Sequence, residues 1–238
     1  MPKSTAALPD WELVLSSAAR LQRILPNAVL VGGTASAIHA EHRFSFDADH
    51  VLTDLRHRFE EVLAELESVA GWKTARVQRP VQILGSLDGI ETGVRQLIRD
   101  APLETTVVDY HGVRITVPTE GEILRIKGVL ILKRNATRDY LDFVALADHM
   151  GDERVARALQ AFDRLYPQKS GESPLQQLQV QLANALPYDL EETELSEYKN
   201  LDSRWHDWQT VKAAGSRLAT TIFDRVCDMG VDRSDANS

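Results

Sequence analysis

The chain has 238 residues, 43% of them apolar and 26% charged, and a formal net charge of −8 at pH 7. That composition suits a globular protein with a substantial core, in one domain or two unequal ones. It argues against a protein that coats nucleic acid over its whole surface. No run of about 18 apolar residues offers a membrane span, and the single cysteine, Cys227, precludes an internal disulfide. The opening Met1-Pro2-Lys3-Ser4-Thr5 lacks an apolar secretory region, so the expected compartment is a reducing cytoplasm.

In chain order, Asp10 to Leu25 reads as an amphipathic helix, with Leu13, Leu15, Ala18, Leu21 and Leu25 near helical spacing and Asp10 as its cap. Ala28–Val31 reads as a short buried strand, and Thr34–Glu41 as a short helix. A second strand is expected over Asp47–Thr53, then a helix over Leu55–Ala70 ended by Gly71. Trp72–Val77 and Val81–Leu87 read as strands, and residues 89–99 as a helix in preference to a strand. Thr105–Tyr110 and Val113–Val117 alternate apolar and polar residues around His111-Gly112, the pattern of a β-hairpin. Thr119-Glu120-Gly121-Glu122 forms a capping box for a helix to about Leu132. A further helix spans Thr137–Met150, with Gly151 as its stop. From Asp152 the pattern is helical only, with a linker over Pro167–Pro174, a last helix over about Ser203–Met229 and a frayed polar tail over Val231–Ser238. Strands in the first half and helices in the second predict an α+β fold, with a core over residues 1–150 and a helical region over 151–238.

The chemistry concentrates in residues 31–49. An apolar strand runs into Gly32-Gly33, and a helix start follows, with Thr34 or Ser36 available to cap it. Glycine lets a ligand approach the main chain, and the amides at a helix start favour phosphate. Asp47 and Asp49, two apart on a strand, point to the same face. Paired carboxylates call for a cation, and Mg²⁺, or Mn²⁺ in its place, suits one or two carboxylates completed by water and substrate phosphate. The stretch is neither a dinucleotide fingerprint nor a Walker A loop. Five basic residues, Arg125, Lys127, Lys133, Arg134 and Arg138, occur without an acid between Ile123 and Arg138. They read either as a solvated face or as a phosphate-contacting one. Lys127 lies beside the apolar stripe of its helix, where it can reach a triphosphate or simply snorkel. Arg138 and Asp142, at i and i+4, also suit a plain helix pair. His39 and His42 are three apart, but no cysteine or second histidine pair accompanies them, which favours local histidines over a zinc site.

This pattern of Gly-Gly, helix and Asp-x-Asp resembles the nucleotidyltransferase superfamily. The stretch from Gly32 through His42-Arg43-x-Ser45-x-Asp47-x-Asp49, with Lys127, Arg134 and Arg138-Asp139-Tyr140-Leu141-Asp142, looks like its AbiEii/AbiGii toxin branch over residues 25–150. The resemblance implies a small mixed sheet with helices, and catalysis by Asp47, Asp49, Lys127 and Asp142. Asp47 and Asp49 would hold Mg²⁺. Gly32, Gly33, Thr34, Ser36, Lys127 and Arg138 would contact an NTP, and Arg43 and Ser45 would support the aspartate strand. The third carboxylate common in the superfamily has no clear counterpart, the nearest acids being Asp88, Glu91 and Asp109. The resemblance also implies transfer of NMP to an acceptor such as the tRNA 3′ end, contacted by Lys133 and Arg134, and an antitoxin protein as partner. The alternatives are a non-catalytic binding protein on the same fold and a small-molecule, antibiotic-type nucleotidyltransferase. No membrane partner is expected.

Overall fold

The computed structural model describes residues 10–99 and 101–235, with side chains as far as Asp224. The chain forms two compact units. One comprises residues up to Ala35 together with Phe44–Pro118; the other comprises Ser36–Arg43 and the chain from Thr119 onward. This division departs from the expected break after residue 150. The helices after Pro118 bury their apolar residues against each other and so belong to one helical unit.

In the first unit the elements are α1 (Trp11–Ile24), β1 (Val29–Leu30), the start of α2 (Gly32–Ala40), β2 (Asp47–Leu52) and α3 (Leu55–Glu67). They are followed by β3 (Trp72–Gln78), β4 (Gln82–Leu87), β5 (Ile90–Gln96) and the hairpin β6 (Thr105–Tyr110) and β7 (Val113–Pro118). The main sheet has the order β1-β2-β5-β4-β3, with β2 parallel to β5 and the other neighbours antiparallel. Its core joins Leu21 of α1 and Leu25 just after it, Leu55, Phe59 and Leu66 of α3, and Ile83, Leu87 and Val94 of the sheet. Asp10 stands at the N-cap position of α1 without a side-chain bond to it.

The hairpin forms as expected, with β7 one residue longer, to Pro118, and turns through His111 and Gly112 at positive φ. Gln22 of α1 completes its inner edge: its amide donates to the Thr116 carbonyl and accepts from the Thr116 amide, both at 2.8 Å.

Residues 90–96 are a strand and not the expected helix. Ile90, Thr92 and Val94 bury on one face at a period of two, and Gly93 interrupts the pattern. A Cβ at Gly93 would stand 2.5 Å from Leu84 Cδ2 and 2.8 Å from the Ile83 carbonyl oxygen, so close strand packing, not a turn, requires the glycine.

The second unit contains the end of α2, α4 (Glu120–Arg134), α5 (Thr137–Met150), α6 (Asp152–Leu159), α7 (Phe162–Leu165), α8 (Pro174–Ala183) and α9 (Trp208–Asp235). Three 3₁₀ turns lie between the last two helices. The capping box at α4 forms only by half. Thr119 accepts from the Glu122 amide, but the buried Glu122 carboxylate takes Arg125 Nη2 at 3.0 Å instead of reaching back. Asn135, in the left-handed conformation, ends α4, and α5 has its expected limits. The expected linker is a loop inside this unit, closed by Ser173, whose hydroxyl caps α8 at the Gln176 amide. Ser203 lies in a 3₁₀ turn, and α9 starts at Trp208. The expected frayed tail is helical as far as Asp235, and its last residues lie outside the described ones.

On β2 the buried face carries Ala48, His50 and Leu52. Burial pushes the His50 imidazole down to about 4, against hydrogen bonds that favour its charged form. Neutral His50 donates from Nδ1 to the Ala48 carbonyl at 2.8 Å. Between pH 6.5 and 4 the unfolded chain binds a proton that the folded chain does not, so stability falls with pH across that window, by about 3 kcal/mol. In His50→Leu the pH slope of the denaturation midpoint is expected to flatten between pH 6.5 and 4; an unchanged slope would place the acid sensitivity elsewhere.

Candidate active site

The first unit assembles the aspartates and the glycine turn. Gly32 takes φ +75° at the start of α2, a conformation that favours glycine. A Cβ there would lie 3.8 Å from Asp49 Cβ, so the helix start abuts the aspartate strand. The Val31 amide donates to the Asp49 carbonyl at 2.8 Å, joining the two segments again. Because Ala48 and His50 point into the core, Asp47 and Asp49 share the other, half-buried face of β2. Ser45 donates to Asp47 Oδ1 at 2.7 Å, which orients that carboxylate. Helix α2 begins at Gly32, ahead of Thr34. Thr34 therefore does not cap it: its buried hydroxyl donates to the Asp47 carbonyl. The Ser36 hydroxyl is buried without a hydrogen-bond partner. Gly33 is half-buried in the first turn of the helix.

Strand β5 completes this face. Glu91 pairs with Asp47, Gly93 with Asp49 and Arg95 with Val51. Arg95 Nη2 lies 3.9 Å from Asp49 Oδ2. Arg95 was not among the expected site residues, although the alternation of Ile90, Thr92 and Val94 signals a strand with Arg95 on its opposite face.

Of the three acids considered for a third carboxylate, Asp88 sits in the β4–β5 turn at positive φ and pairs with Arg20. Asp109 accepts from the Gly112 amide in the hairpin turn at 2.9 Å. Glu91 is exposed and in register with Asp47, but among the described residues no three histidine, cysteine or acidic groups converge to hold a metal. The donor set that remains, two hard carboxylates on one face, suits a single Mg²⁺ completed by water and phosphate oxygens.

The second unit brings Lys127 and Asp142 together. Lys127 Nζ is 2.6 Å from Asp142 Oδ2 and 3.4 Å from Asp139 Oδ1. Asp142 also receives His42 Nε2 at 2.7 Å and a two-point contact from Arg43, at 2.7 and 2.9 Å. Burial would raise this carboxyl; Arg43, Lys127 and His42 outweigh it and hold Asp142 well below the usual range. The same partners replace the alternative Arg138–Asp142 pair, and Arg138 is exposed. His42 is thus a partner of a carboxylate and part of no metal cluster among the described residues.

The basic run does not form one exposed face. Arg125 is buried, donating to the Ala158 carbonyl and to Glu122. Lys127 is buried as above, and Arg134 grips Asp139 through two nitrogens. Lys133, Arg134 and Arg138 are exposed, Arg134 while paired with Asp139. Helix α4 buries Ile123, Leu124, Val129 and Ile131, which are spread around its circumference, so Glu122, Arg125 and Lys127 are enclosed with them.

Comparison with known proteins places the fold. A solved structure from H. pylori, named as a candidate nucleotidyltransferase, superposes with a TM-score of 0.55, covering 92% of this chain and 96% of that one at 17% identity. The mixed sheet with its helices is therefore a nucleotidyltransferase-like fold. In sequence, the chain is 33% identical over 215 residues to the heme uptake protein MmpL11 of Mycobacterium tuberculosis, covering 78% of this chain and 21% of that protein. It is 35% identical over 132 residues to the mycolic acid-containing lipids exporter MmpL11 of Mycolicibacterium smegmatis, covering 53% of this chain and 13% of that protein. The chain thus spans about a fifth of the length of the first of these relatives. Among the described residues no helix is long and apolar enough to cross a membrane. No family model matches the chain.

Removing one partner from a buried ionic cluster leaves a charge uncompensated. Lys127→Met is therefore expected to destabilise the second unit by about 3–5 kcal/mol, read as a lower urea midpoint. A midpoint equal to wild type would mean that Lys127 carries no structural duty.

Proposed function

We propose that the chain is a Mg²⁺-dependent nucleotidyltransferase that moves NMP from an NTP to a hydroxyl acceptor. The observation that carries this reading is the placement of Asp47 and Asp49 on one half-buried face of β2, against the helix start at Gly32. The fold supports it. The backbone at Gly32 and Gly33 is suited to hold phosphate by its amides, and the α2 dipole adds to this. Asp47, oriented by Ser45, and Asp49 would hold the cation. When bound, Mg²⁺ would supply neutralising charge at the reacting phosphate and align its oxygens.

In this reading the acceptor is a small hydroxyl compound. An RNA backbone calls for several exposed cations, and of the five in the basic run two are buried and a third, Arg134, is exposed but neutralised by Asp139. The tRNA 3′ end, which the sequence resemblance implies, thereby loses the support of an extended basic face; the antitoxin partner that the resemblance also implies does not depend on that face.

The test incubates the purified chain and Mg²⁺ with each α-labelled NTP, offering total RNA in one arm and a panel of hydroxyl compounds in the other. Label is expected on a small hydroxyl compound, with the rate lowered about 100-fold or more in Asp49→Asn. Label on RNA would restore the toxin-like reading. NTP binding with no transfer to any acceptor would favour the non-catalytic alternative.

Strain at Gly32 gives a second measurement. Gly32→Val forces a β-branched residue to positive φ at a cost of about 1–3 kcal/mol and sets a side chain toward Asp49. NTP affinity is expected to fall about tenfold or more; undiminished affinity would reduce the glycine pair to a turn.

A further inference from the structure

The third acid on the aspartate face, Glu91, does not converge with Asp47 and Asp49 into a three-carboxylate metal group among the described residues, whereas a cation does approach Asp49. β5 lies parallel to β2, and its residues Glu91, Gly93 and Arg95 share the face of Asp47 and Asp49, because Thr92 and Val94 are turned into the core. The residue level with Asp49 is Gly93, which contributes no side chain. Arg95 reaches back past it, and its Nη2 stands 3.9 Å from Asp49 Oδ2. That separation lets the two charges act on each other without closing a direct two-point pair. On its other side Arg95 is opposite Gln82 of β4. With the Gln82 amide oxygen turned toward it, Gln82 accepts from Nη2 at 3.2 Å and from Nη1 as well. Gln82 is buried, so it is a fixed anchor, whereas the Arg95 side chain is 45% exposed. A guanidinium has five donors in a planar fork suited to phosphate oxygens. Gln82 engages only part of that fork.

We propose that Arg95 is the phosphate-binding cation of the Asp47–Asp49 face, so that β5 supplies from a side chain the second positive charge that a third carboxylate would otherwise recruit as a metal ion. Gln82 is its positioning residue. The proposal rests on the nucleotidyl-transfer reading and deepens it. A site built this way takes one divalent cation, and it retains affinity for a triphosphate when that cation is withheld. The guanidinium also competes with the cation for Asp49 while no phosphate is bound.

Two binding measurements test this without reading turnover. The first is NTP affinity in excess chelator. Arg95→Ala is expected to lose about tenfold or more, and Arg95→Lys to recover part of it as a point charge. The second is Mn²⁺ titration of the nucleotide-free chain followed by electron paramagnetic resonance. Wild type is expected to bind one ion weakly, Arg95→Ala to bind it more tightly, and Arg95→Glu to bind it about tenfold more tightly than wild type. If Arg95→Ala binds NTP and Mn²⁺ as wild type does, while Asp49→Asn loses Mn²⁺ and transfer, the role of Arg95 is overturned and nucleotidyl transfer stands. Two Mn²⁺ ions per wild-type chain in the presence of NTP would also overturn it. If wild type binds no NTP with or without Mg²⁺, both readings fall together.

Discussion

Strand β2 must satisfy two environments at once, and its period of two decides how. Ala48, His50 and Leu52 fill one side of the sheet, so Asp47 and Asp49 have no choice of side. A slip of one residue would drive both carboxylates into an apolar core and strand them there. The register is held by more than the strand ladder. Thr34 and Thr92 each bring a hydroxyl to a β2 carbonyl, at Asp47 and Ala48. The Val31 amide takes a third β2 carbonyl, at Asp49. Three consecutive β2 residues are thus fixed from three different segments, and the face that carries Asp47 and Asp49 is a by-product of that fixation.

The second unit is organised by the opposite device, a carboxylate with no access to water. Asp142 is fully buried, and an isolated charge there would be prohibitively unfavourable. It is matched by Arg43 in a two-point contact, by Lys127 and by His42, while Asp139 takes Arg134 and part of Lys127. Such a cluster contributes little net stability over an apolar replacement, but it is intolerant of losing one member. Its geometry defines where residues 36–43 lie against α4 and α5 within the unit. That is a specification a purely apolar contact would leave looser.

How far the sequence revealed this differs from element to element. The β6–β7 hairpin and α5 carried their own punctuation, a His-Gly turn in one case and a terminal glycine in the other, and their limits match the structure to within one residue. The pairing of Asp47 and Asp49 on one face was legible because strand periodicity is local. β5 was not, because Gly93, there for the sake of a neighbouring strand, broke the apolar alternation; with β5 read as a helix, Arg95 had no address. The fate of the basic run was hidden for a different reason. Asp142 and Arg43 are ninety-nine residues apart, and nothing in local spacing announces such a partner. One clue was present: α4 carries apolar residues around most of its circumference and so has little polar face on which to place Arg125 and Lys127.

The short return of residues 36–43 to the second unit has a consequence for how this protein can be taken apart. The chain passes from one unit to the other at Ala35, back at Arg43 and across again at Pro118, so no single cut separates the two. A fragment ending at Pro118 would carry His42 and Arg43 away from the acid they neutralise, and the complementary fragment would hold Asp142 with Lys127 alone. Each piece would inherit an electrostatic debt from the other. The two units are distinct in packing but not separable as genetic modules, and recombination that exchanged one half for a homologous half would have to transplant an eight-residue internal segment along with the C-terminal helices.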